Sequence, residues 1–197
     1  MSASGSVAGL LLAAGSGSRL GRPKALVEVG GQRLVDTGVG LLRDGGCEPV
    51  VVVLGAAEAA VPDAVVVTNP AWATGMGSSL RAGLAALPAD VPAVVVALVD
   101  QPHVGAEAVR RLVAALVGGA VAAVATYGGR RANPVALARS VWPEVGRLAV
   151  GDVGARPFLA AHPELVTLVP CDGTGRPDDI DTPADLARLD PVRERLQ

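Results

Sequence analysis

The amino-acid sequence predicts an α/β fold in which a single domain is built on a mostly parallel sheet. Continuous apolar runs of strand length recur along the chain, for example at residues 49–54 and 93–98. Strands that are buried on both faces have this pattern, whereas half-exposed strands alternate apolar and polar residues. Segments with helical periodicity, such as residues 106–117, separate the runs. The 197 residues, half of them hydrophobic, are enough to bury one sizeable core.

The predicted elements alternate along the chain, with glycine and proline between them. Gly30 and Gly31 predict a turn, and Gly45 with Gly46 ends the first helix. Strands are predicted at residues 7–13, 49–54, 64–68, 93–98, 121–126 and 165–169. Helices are predicted at residues 34–42, 78–87 and 106–117, in a segment of small residues after Arg156, and from Pro183 onward.

Single residues define several of these boundaries. Ser78 and Thr182 are suitable N-caps for the helices that follow them, because their hydroxyl groups can accept a hydrogen bond from the first turn. Arg130 and Arg131 are expected at an exposed turn before a further short strand. Residues 1–6 are expected to form a flexible tail.

The composition excludes several classes of partner. A net charge of −2 provides no basic field for nucleic acid, and an aromatic content of 2% provides no stacking platform for bases. No apolar run reaches the length of a membrane span, and no basic and apolar leader opens the sequence. We therefore expect a cytoplasmic protein without nucleic-acid or membrane partners. Cys47 and Cys171 are expected to be buried thiols, because they form no Cys-x-x-Cys pair.

The first predicted strand ends in a glycine-rich loop that is suited to binding phosphates. Gly15, Gly17 and Gly21 allow backbone N–H groups to approach an anion closely, and Arg19 and Lys24 add positive charge. Lys24 is the only lysine among the 17 basic residues, which indicates that a compact ammonium group is needed there. We expect both cations to lie on a solvent-facing loop.

Three phosphate-binding patterns compete for this loop. The P-loop string is absent from the chain. The dinucleotide fingerprint needs Gly-x-Gly-x-x-Gly opening a helix, but the second spacing here is one residue too long and Pro23 disfavours a helix. Asp36, at the distance of a ribose-binding acid, is weak support by itself. The third pattern is the nucleotidyltransferase signature Leu-Ala-Ala-Gly-x-Gly-x-Arg-x-Gly-x-Pro-Lys, which residues 12–24 resemble at every specified position.

Carboxylates define a second candidate region. Asp100 follows the strand at 93–98, where open α/β sheets bind ligands, and a carboxylate near phosphates is a natural Mg²⁺ ligand. The alternative is an aspartate that caps the next helix. Asp179 and Asp181 are expected to project on the same side of an extended segment. His103 is interpreted as a neighbour of this region and not as a general acid or base.

A third region is the start of the helix near residue 78. Gly75 and Gly77 break the chain there, and Ser78 and Ser79 follow them. A helix N-terminus with two hydroxyl groups suits an anion or another polar ligand. A helix that is merely capped explains the same residues equally well.

Five stretches together resemble the molybdenum cofactor cytidylyltransferase family over nearly the whole chain. They are residues 12–24, Gly-Met-Gly-Ser-Ser-Leu at 75–80, Leu-Val-Asp-Gln-Pro at 98–102, Asn-Pro-Val at 133–135 with Gly-Asp-Val-Gly-Ala-Arg at 151–156, and Asp-Ile-Asp-Thr-Pro at 179–183. Ala132 departs from the family pattern, which has glycine at that position. The resemblance implies one nucleotidyltransferase domain over residues 1–197, with a doubly wound, three-layer α/β/α sheet of the nucleotide-diphospho-sugar transferase type.

The resemblance also implies an activity, the transfer of CMP from CTP to the terminal phosphate of molybdenum cofactor (a molybdopterin) with release of pyrophosphate. It implies Mg²⁺ held by Asp100 with Asp181 as second ligand, and catalytic roles for Arg19, Lys24 and Asp100. Implied partners are CTP or another NTP, a phosphorylated pterin acceptor, and a molybdoenzyme or its chaperone. The residues implied to bind the substrates are Leu12, Ala13, Ala14, Gly15, Gly17, Gly75, Ser78, Ser79, Asn133 and Arg156.

Other functions stay open at this point. The same chemistry could serve a guanylyltransferase acting on molybdopterin, or a cytidylyltransferase acting on a sugar or polyol phosphate. The Leu-Ala-Ala-Gly string favours the cytidylyl branch, because the guanylyl branch tends to have Leu-Ala-Gly-Gly. A non-catalytic nucleotide- or cofactor-binding maturation protein is the alternative from another class. The joint presence of Lys24, Asp100 and Asp181 argues against it, since a binding module need not keep all three.

Overall fold

The computed structural model describes residues 6–189 and shows a seven-stranded sheet with helices on both faces. The predicted tail at residues 1–6 lies outside the described residues, apart from Ser6. The strands are β1 (Ala8–Leu12), β2 (Glu28–Val29), β3 (Gln32–Arg33), β4 (Val50–Leu54), β5 (Val65–Thr68), β6 (Ala93–Leu98), β7 (Ala122–Tyr127), β8 (Arg130–Ala138) and β9 (Val166–Pro170). The helices are α1 (Leu34–Asp44), α2 (Met76–Ala86), α3 (Ala106–Val117), α4 (Trp142–Leu148), α5 (Arg156–Ala161) and α6 (Pro183–Leu189).

The order of strands in the main sheet is β5–β4–β1–β6–β8–β7–β9, while β2 and β3 form a separate small hairpin. Every neighbouring pair of the main sheet is parallel except the two pairs that include β8. The predicted doubly wound, mostly parallel sheet is therefore confirmed. Among residues 6–189, no helix has the length and apolar character needed to cross a membrane.

The antiparallel strand β8 differs from the prediction for its segment. We expected Arg130 and Arg131 at a turn before a short strand, but they open a strand of nine residues. The reversal is confined to Gly128 and Gly129, whose φ angles are 56° and 73°. Such a tight turn lets β8 pair with β7 from Arg130 onward, opposite Tyr127. Both arginines are exposed, as predicted.

Strand alternation divides the core into two apolar layers. Leu11 packs with α1 and α3 on one face, whereas Leu10 and Leu12 pack with α2, α4 and α5 on the other. This arrangement confirms the predicted three layers. Helix α4 was not predicted, because seven residues with Trp142 and Val145 as their buried positions are too few for a helical period to be recognised.

The two central strands place the candidate site. β1 and β6 pair in parallel with Leu12 opposite Leu98, and the N–H of Val99 donates a 3.1 Å hydrogen bond to the carbonyl of Leu12. The glycine loop after β1 and Asp100 after β6 therefore leave the sheet side by side at its carboxyl edge. This edge is where open α/β sheets bind their ligands.

Candidate active site

The side chain of Lys24 lies between two carboxylates at this edge of the sheet. Its Nζ atom donates hydrogen bonds of 2.6 Å to Oδ2 of Asp100 and 2.5 Å to Oδ1 of Asp181. Burial acts to lower the pKa of Lys24, but the hydrogen bonds to both aspartates outweigh it and raise the pKa above its ordinary value. Only 16% of the side chain is exposed. The expectation that Lys24 faces solvent is therefore wrong, because the two carboxylates draw the ammonium inward.

Arg19, in contrast, is directed outward by the glycine loop. Gly17 adopts a φ of 59° and its carbonyl accepts a 2.8 Å hydrogen bond from the N–H of Leu20. A Cβ atom on Gly17 would collide with the carbonyl of Arg22, so this turn requires glycine. The Arg19 side chain is 73% exposed, as predicted, and its Nη1 atom lies 3.7 Å from Oδ2 of Asp181.

The loop does not open a helix of the kind that a dinucleotide fingerprint needs. After Pro23 the chain makes one 3₁₀ turn over Lys24–Leu26, and the first α-helix begins only at Leu34. The backbone geometry thus agrees with the rejection of that pattern on spacing. The loop places the Lys24 side chain in the partly buried site at the carboxyl edge of the sheet, whereas Gly15 stays exposed to solvent.

Gln101 holds the segment that carries the second carboxylate. Its side chain is buried, and Nε2 donates 2.7 Å to Oδ1 of Asp179 and 3.1 Å to the carbonyl of Pro177. Partial burial raises the pKa of the Asp179 carboxyl, while the Gln101 hydrogen bond acts in the opposite direction. Asp179 and Asp181, which the sequence predicts on the same side of an extended segment, have different partners: Asp179 bonds to Gln101, whereas Asp181 reaches Lys24.

The backbone beyond Asp181 is fixed by the cap of α6. The N–H of Thr182 donates 2.9 Å to Oδ2 of Asp185, and the N–H of Asp185 donates 3.2 Å to Oγ1 of Thr182. This reciprocal arrangement is a capping box with aspartate in the acidic position. The prediction of Thr182 as N-cap and Pro183 as first helical residue is confirmed.

A cleft of about 540 Å³, which we call the main cleft, opens over the ends of β1 and β6. Seven residues predicted for the site line it: Leu12, Ala14, Gly15, Lys24, Gly75, Ser79 and Asp100. The lining also includes Trp72, Met76 and Asp152, for which the sequence predicted no role. Carboxylate, ammonium and exposed loop backbone thus share one concave surface with an indole ring.

The start of α2 differs from the prediction in the identity of its cap. The helix begins at Met76 with Gly75 as N-cap, so Ser78 lies in the first turn. Ser78 and Ser79 are buried, and both hydroxyl oxygens accept hydrogen bonds from Nδ2 of Asn69, at 2.8 and 3.1 Å. The Ser78 hydroxyl is therefore used inside the fold and does not line the main cleft. Ser79 does line it.

Gly75 and Gly77 permit a close approach of another segment. A Cβ atom on Gly75, whose φ is 111°, would collide with the backbone of Gly151, and one on Gly77 would collide with the carbonyl of Ala149. The N–H of Gly77 donates 2.9 Å to the carbonyl of Gly151. The start of α2 is thus locked against the segment at 149–156.

That segment forms one wall of a second, more apolar cavity of about 220 Å³, the side pocket. Asn133 and Arg156, both predicted for the site, lie in its lining together with Arg131. The apolar part of the lining includes Leu80, Val96, Val124, Val135 and Leu159. Leu12, Met76, Leu98 and Asp152 line both cavities, so the main cleft and the side pocket are contiguous.

The structure thus assembles most of the predicted residues, with three exceptions. Ala13 points into the core on the face opposite the cleft, and Gly17 and Ser78 serve the local fold. Asp152 lies within the Gly-Asp-Val-Gly-Ala-Arg motif, but the sequence indicated no role for it. Its Oδ1 atom accepts a 3.3 Å hydrogen bond from the N–H of Met76 at the junction of the two cavities. His103 stays beside the site, and its Nε2 atom is buried without a hydrogen-bond partner among the described residues.

Comparison with known proteins gives one relative that matches nearly the whole chain. The nicotine blue oxidoreductase of Paenarthrobacter nicotinovorans is 39% identical over 197 aligned residues, which cover 93% of this chain and 96% of the relative.

Solved structures also resemble this protein over nearly the whole chain. A Mycobacterium sp. strain JC1 homologue of the Mycobacterium tuberculosis protein Rv0371c has a TM-score of 0.82 and 29% identity, covering 97% and 98% of the two chains. Rv0371c solved in complex with manganese has a TM-score of 0.77 and 27% identity, covering 93% and 97%. The 2-C-methyl-D-erythritol 4-phosphate cytidylyltransferase of Thermus thermophilus (TM-score 0.73, 23% identity, covering 95% and 98%) shows the shared fold alone.

The fold and the signature loop agree with the match to a protein family. The three-layer α/β/α fold is that of the nucleotide-diphospho-sugar transferases, as the resemblance implied. The family match covers residues 9–166, from the first strand to the last. The chain belongs to the MobA-like NTP transferase domain family and is a nucleotidyltransferase of that family.

Proposed function

We propose that this protein transfers CMP from CTP to the terminal phosphate of molybdenum cofactor and releases pyrophosphate. The single observation that carries the proposal is the contiguity of the two cavities. Lys24 and Asp100 line the main cleft, and the side pocket adjoins it at Leu12 and Asp152. A nucleotide in the first and an acceptor in the second would bring their phosphates together beside Lys24 and Asp100.

The two carboxylates that contact Lys24 fit a divalent cation. Oδ1 of Asp100 is buried and has no hydrogen-bond partner among residues 6–189, so this carboxylate has an oxygen that no protein group satisfies. In the described part of the chain, no group of three or more His, Cys, Asp and Glu side chains could hold a metal. Asp100 and Asp181 would therefore supply one or two carboxylates, which is the protein share that Mg²⁺ usually takes when phosphates supply the rest. The manganese complex of Rv0371c supports a divalent metal here.

The reaction requires positioning and charge neutralisation. An acceptor phosphate oxygen attacks the α-phosphorus of CTP in line, a P–O bond forms, and the bond to the leaving pyrophosphate breaks. The attacking oxygen is already anionic, so no general base is needed. Mg²⁺, when bound, would offset the charge on the phosphates. Lys24 would hold a phosphate oxygen from inside the cleft and Arg19 from its exposed side, as preorganised electrostatic donors.

The side pocket supports an acceptor that is both anionic and partly apolar. Arg131 and Arg156 lie in its lining, and neither forms an ion pair with a carboxylate of the described residues. Their charge is thus available for a phosphate or another acidic group. Asn133 adds an amide for polar atoms of the acceptor, and the Leu and Val side chains contact its ring system.

The test is a turnover assay with identified products. Purified protein is given Mg²⁺ and molybdenum cofactor with CTP or GTP in separate and competing reactions, and the dinucleotide is identified by mass spectrometry. We expect the cytosine dinucleotide and pyrophosphate, with the initial rate of both reduced by about 10²–10³ in Asp100→Asn. A guanine dinucleotide as main product would assign the guanylyl activity. A product only with a sugar or polyol phosphate would replace the acceptor.

A second candidate function rests on the 39% identity with the nicotine blue oxidoreductase. In this alternative the main cleft holds a nicotinamide dinucleotide as hydride donor, and the side pocket holds an oxidised heterocycle that accepts the hydride and a proton. The form of the glycine loop argues against it, because the first helix begins only at Leu34. Reduction of nicotine blue by NADH or NADPH, with loss of the nicotinamide absorbance and no nucleotidyl transfer, would favour this function.

A further inference from the structure

Lys24 occupies the position between Asp100 and Asp181 that a divalent cation would need. Its Nζ atom is 2.6 Å from Oδ2 of Asp100 and 2.5 Å from Oδ1 of Asp181. A Mg²⁺ ion coordinates carboxylate oxygens at about 2.0–2.1 Å. An ammonium group and a metal ion cannot bridge the same two oxygens at once. Lysine and metal therefore compete for this pair of carboxylates.

The cleft gives the ammonium an alternative position. Lys24 lines the main cleft together with Gly15 and Ser16 of the phosphate loop, and the cleft measures about 540 Å³. A nucleotide phosphate bound on this loop would share the main cleft with Lys24, whose flexible four-carbon side chain can reorient within it. Moving Nζ from the carboxylates to that phosphate would expose both aspartates to a cation. It would also leave two carboxylates without a counter-charge, and this raises their affinity for a divalent ion.

We propose that Lys24 blocks the metal ligands of the free protein and releases them when a nucleotide binds. The inference depends on the proposed nucleotide site. It makes metal and nucleotide binding mutually reinforcing. A bound nucleotide attracts the ammonium away from the carboxylates that the metal needs, and a bound metal displaces the ammonium toward the phosphate. Such coupling is reciprocal by linkage. It also explains a lysine where every other basic residue of the chain is an arginine: a compact ammonium can replace a metal ion between two oxygens, whereas a planar guanidinium cannot.

The first experiment measures Mn²⁺ binding to the full-length protein without any nucleotide, by electron paramagnetic resonance. We expect Lys24→Met to bind Mn²⁺ about tenfold or more tightly than the wild type, because the competitor is removed. Arg43→Met is the matched control: it removes a cation that is 51% exposed and 3.7 Å from the carboxylate of Asp63, outside the main cleft. We expect it to change the affinity by no more than about twofold.

The second experiment adds a CTP analogue with a non-hydrolysable α,β bridge, and in parallel a GTP analogue. The nucleotide that the protein accepts should raise the Mn²⁺ affinity of the wild type about tenfold more than that of Lys24→Met. The phosphates add the same metal ligands to both proteins, and only the wild type has an ammonium to displace. Lys24→Gln, which retains a donor without a charge, serves as a second variant if Lys24→Met folds poorly. Unchanged or weaker nucleotide-free Mn²⁺ binding in both variants would overturn the inference. Because this arm needs no acceptor and no turnover, its outcome is independent of the CMP-transfer assay.

Discussion

The backbone N–H of Ile180 donates a 2.8 Å hydrogen bond to the carbonyl of Asp100. Ile180 is also fully buried in the core, so its side chain anchors the segment on which Asp181 lies. The segment that carries one metal-ligand candidate is therefore hydrogen-bonded directly to the other, two residues beyond the end of β6. This relationship makes the spacing of the two carboxylates a property of the sheet and not of a mobile loop.

The first prediction concerns which aspartates hold a cation. Asp181 contacts Lys24, whereas Asp179 is bonded to Gln101. We expect Asp100→Asn to lower kcat by about 10²–10³ and Asp181→Asn to lower it severely, because each removes charge that faces the reacting phosphates. Asp179→Asn should have a smaller effect. The measurement is kcat at saturating CTP, with Mn²⁺ titration of each variant.

The control for this series is thermal unfolding, which separates lost chemistry from lost structure. If Asp179 proves indispensable and Asp181 replaceable, the second metal ligand is Asp179 and not Asp181. Turnover that persists in excess chelator would remove the metal from the mechanism altogether.

The second prediction concerns Gln101 as a positioning residue. Its buried amide ties Asp179 and Pro177 to the end of β6 and thereby keeps Asp181 near Asp100. We expect Gln101→Met to raise the Mg²⁺ concentration needed for half-maximal activity by about tenfold, equivalent to about 1.4 kcal/mol, with little change in the KM for CTP. Kinetics at varied Mg²⁺ measure this split.

Gln32→Met is the matched control for Gln101, because Gln32 is exposed in the β2–β3 hairpin. It should behave like the wild type. If Gln101→Met raises both constants in proportion, or only lowers the melting temperature, Gln101 supports the fold without positioning the carboxylate.

The third prediction uses the thiol of Cys47. Burial raises the pKa of Cys47 from 9.0 to about 12. Between pH 9.0 and about 12 the thiol of the unfolded chain ionises while the native thiol stays protonated. The stabilising contribution of this thiol to the free energy of unfolding is therefore complete below pH 9.0 and is lost as the pH rises toward 12. We expect the free energy of unfolding to fall by about 1.4 kcal/mol per pH unit in this window for this group.

The measurement is urea unfolding at several alkaline pH values for the wild type and Cys47→Ala. The variant loses packing at every pH, so only the pH dependence of the difference is informative. Two curves that run parallel from neutral pH to about pH 11 would show that the thiol ionises in the native state.

Much of the fold could be predicted because its signals are local. The continuous apolar runs and glycine stops identified β6 and α3 with the bounds that the structure gives. The phosphate loop was recognisable for the same reason, since Gly17 and Lys24 lie in one contiguous signature. Its internal turn needs only residues of the loop itself.

The remaining features depend on contacts between distant parts of the chain. Ser78 has the same local sequence whether it caps α2 or lies in its first turn, and the approach of Gly151 to Gly75 decides between the two. The inward direction of Lys24 depends on Asp181, which the sequence alone cannot place beside it. Arg131 reaches the side pocket because β8 inserts between β6 and β7, and a hairpin signal does not specify which strands will flank it.

The last prediction concerns the choice of base. Ala14 lines the main cleft, whereas the adjacent Ala13 points into the core on the other face. The methyl group of Ala14 and the side chain of Trp72 both border Gly55, where an added Cβ atom would collide with each of them. We expect this methyl to narrow the space for a purine. Ala14→Gly should therefore raise the ratio of kcat/KM for GTP to that for CTP by about tenfold, the range expected of one carbon in a pocket.

Ala13→Gly is the matched control, because it makes the same substitution one position earlier without touching the cleft. Both variants lose about 0.5–1 kcal/mol of stability to the added backbone freedom, and only Ala14→Gly should change the nucleotide ratio. Competition between CTP and GTP in one reaction, with both dinucleotides quantified, measures that ratio directly. A wild type that uses GTP as well as CTP would remove the cytidylyl preference. If Ala14→Gly leaves the ratio unchanged in a CTP-specific wild type, the purine is excluded by some other contact, and Trp72 is the next residue to substitute.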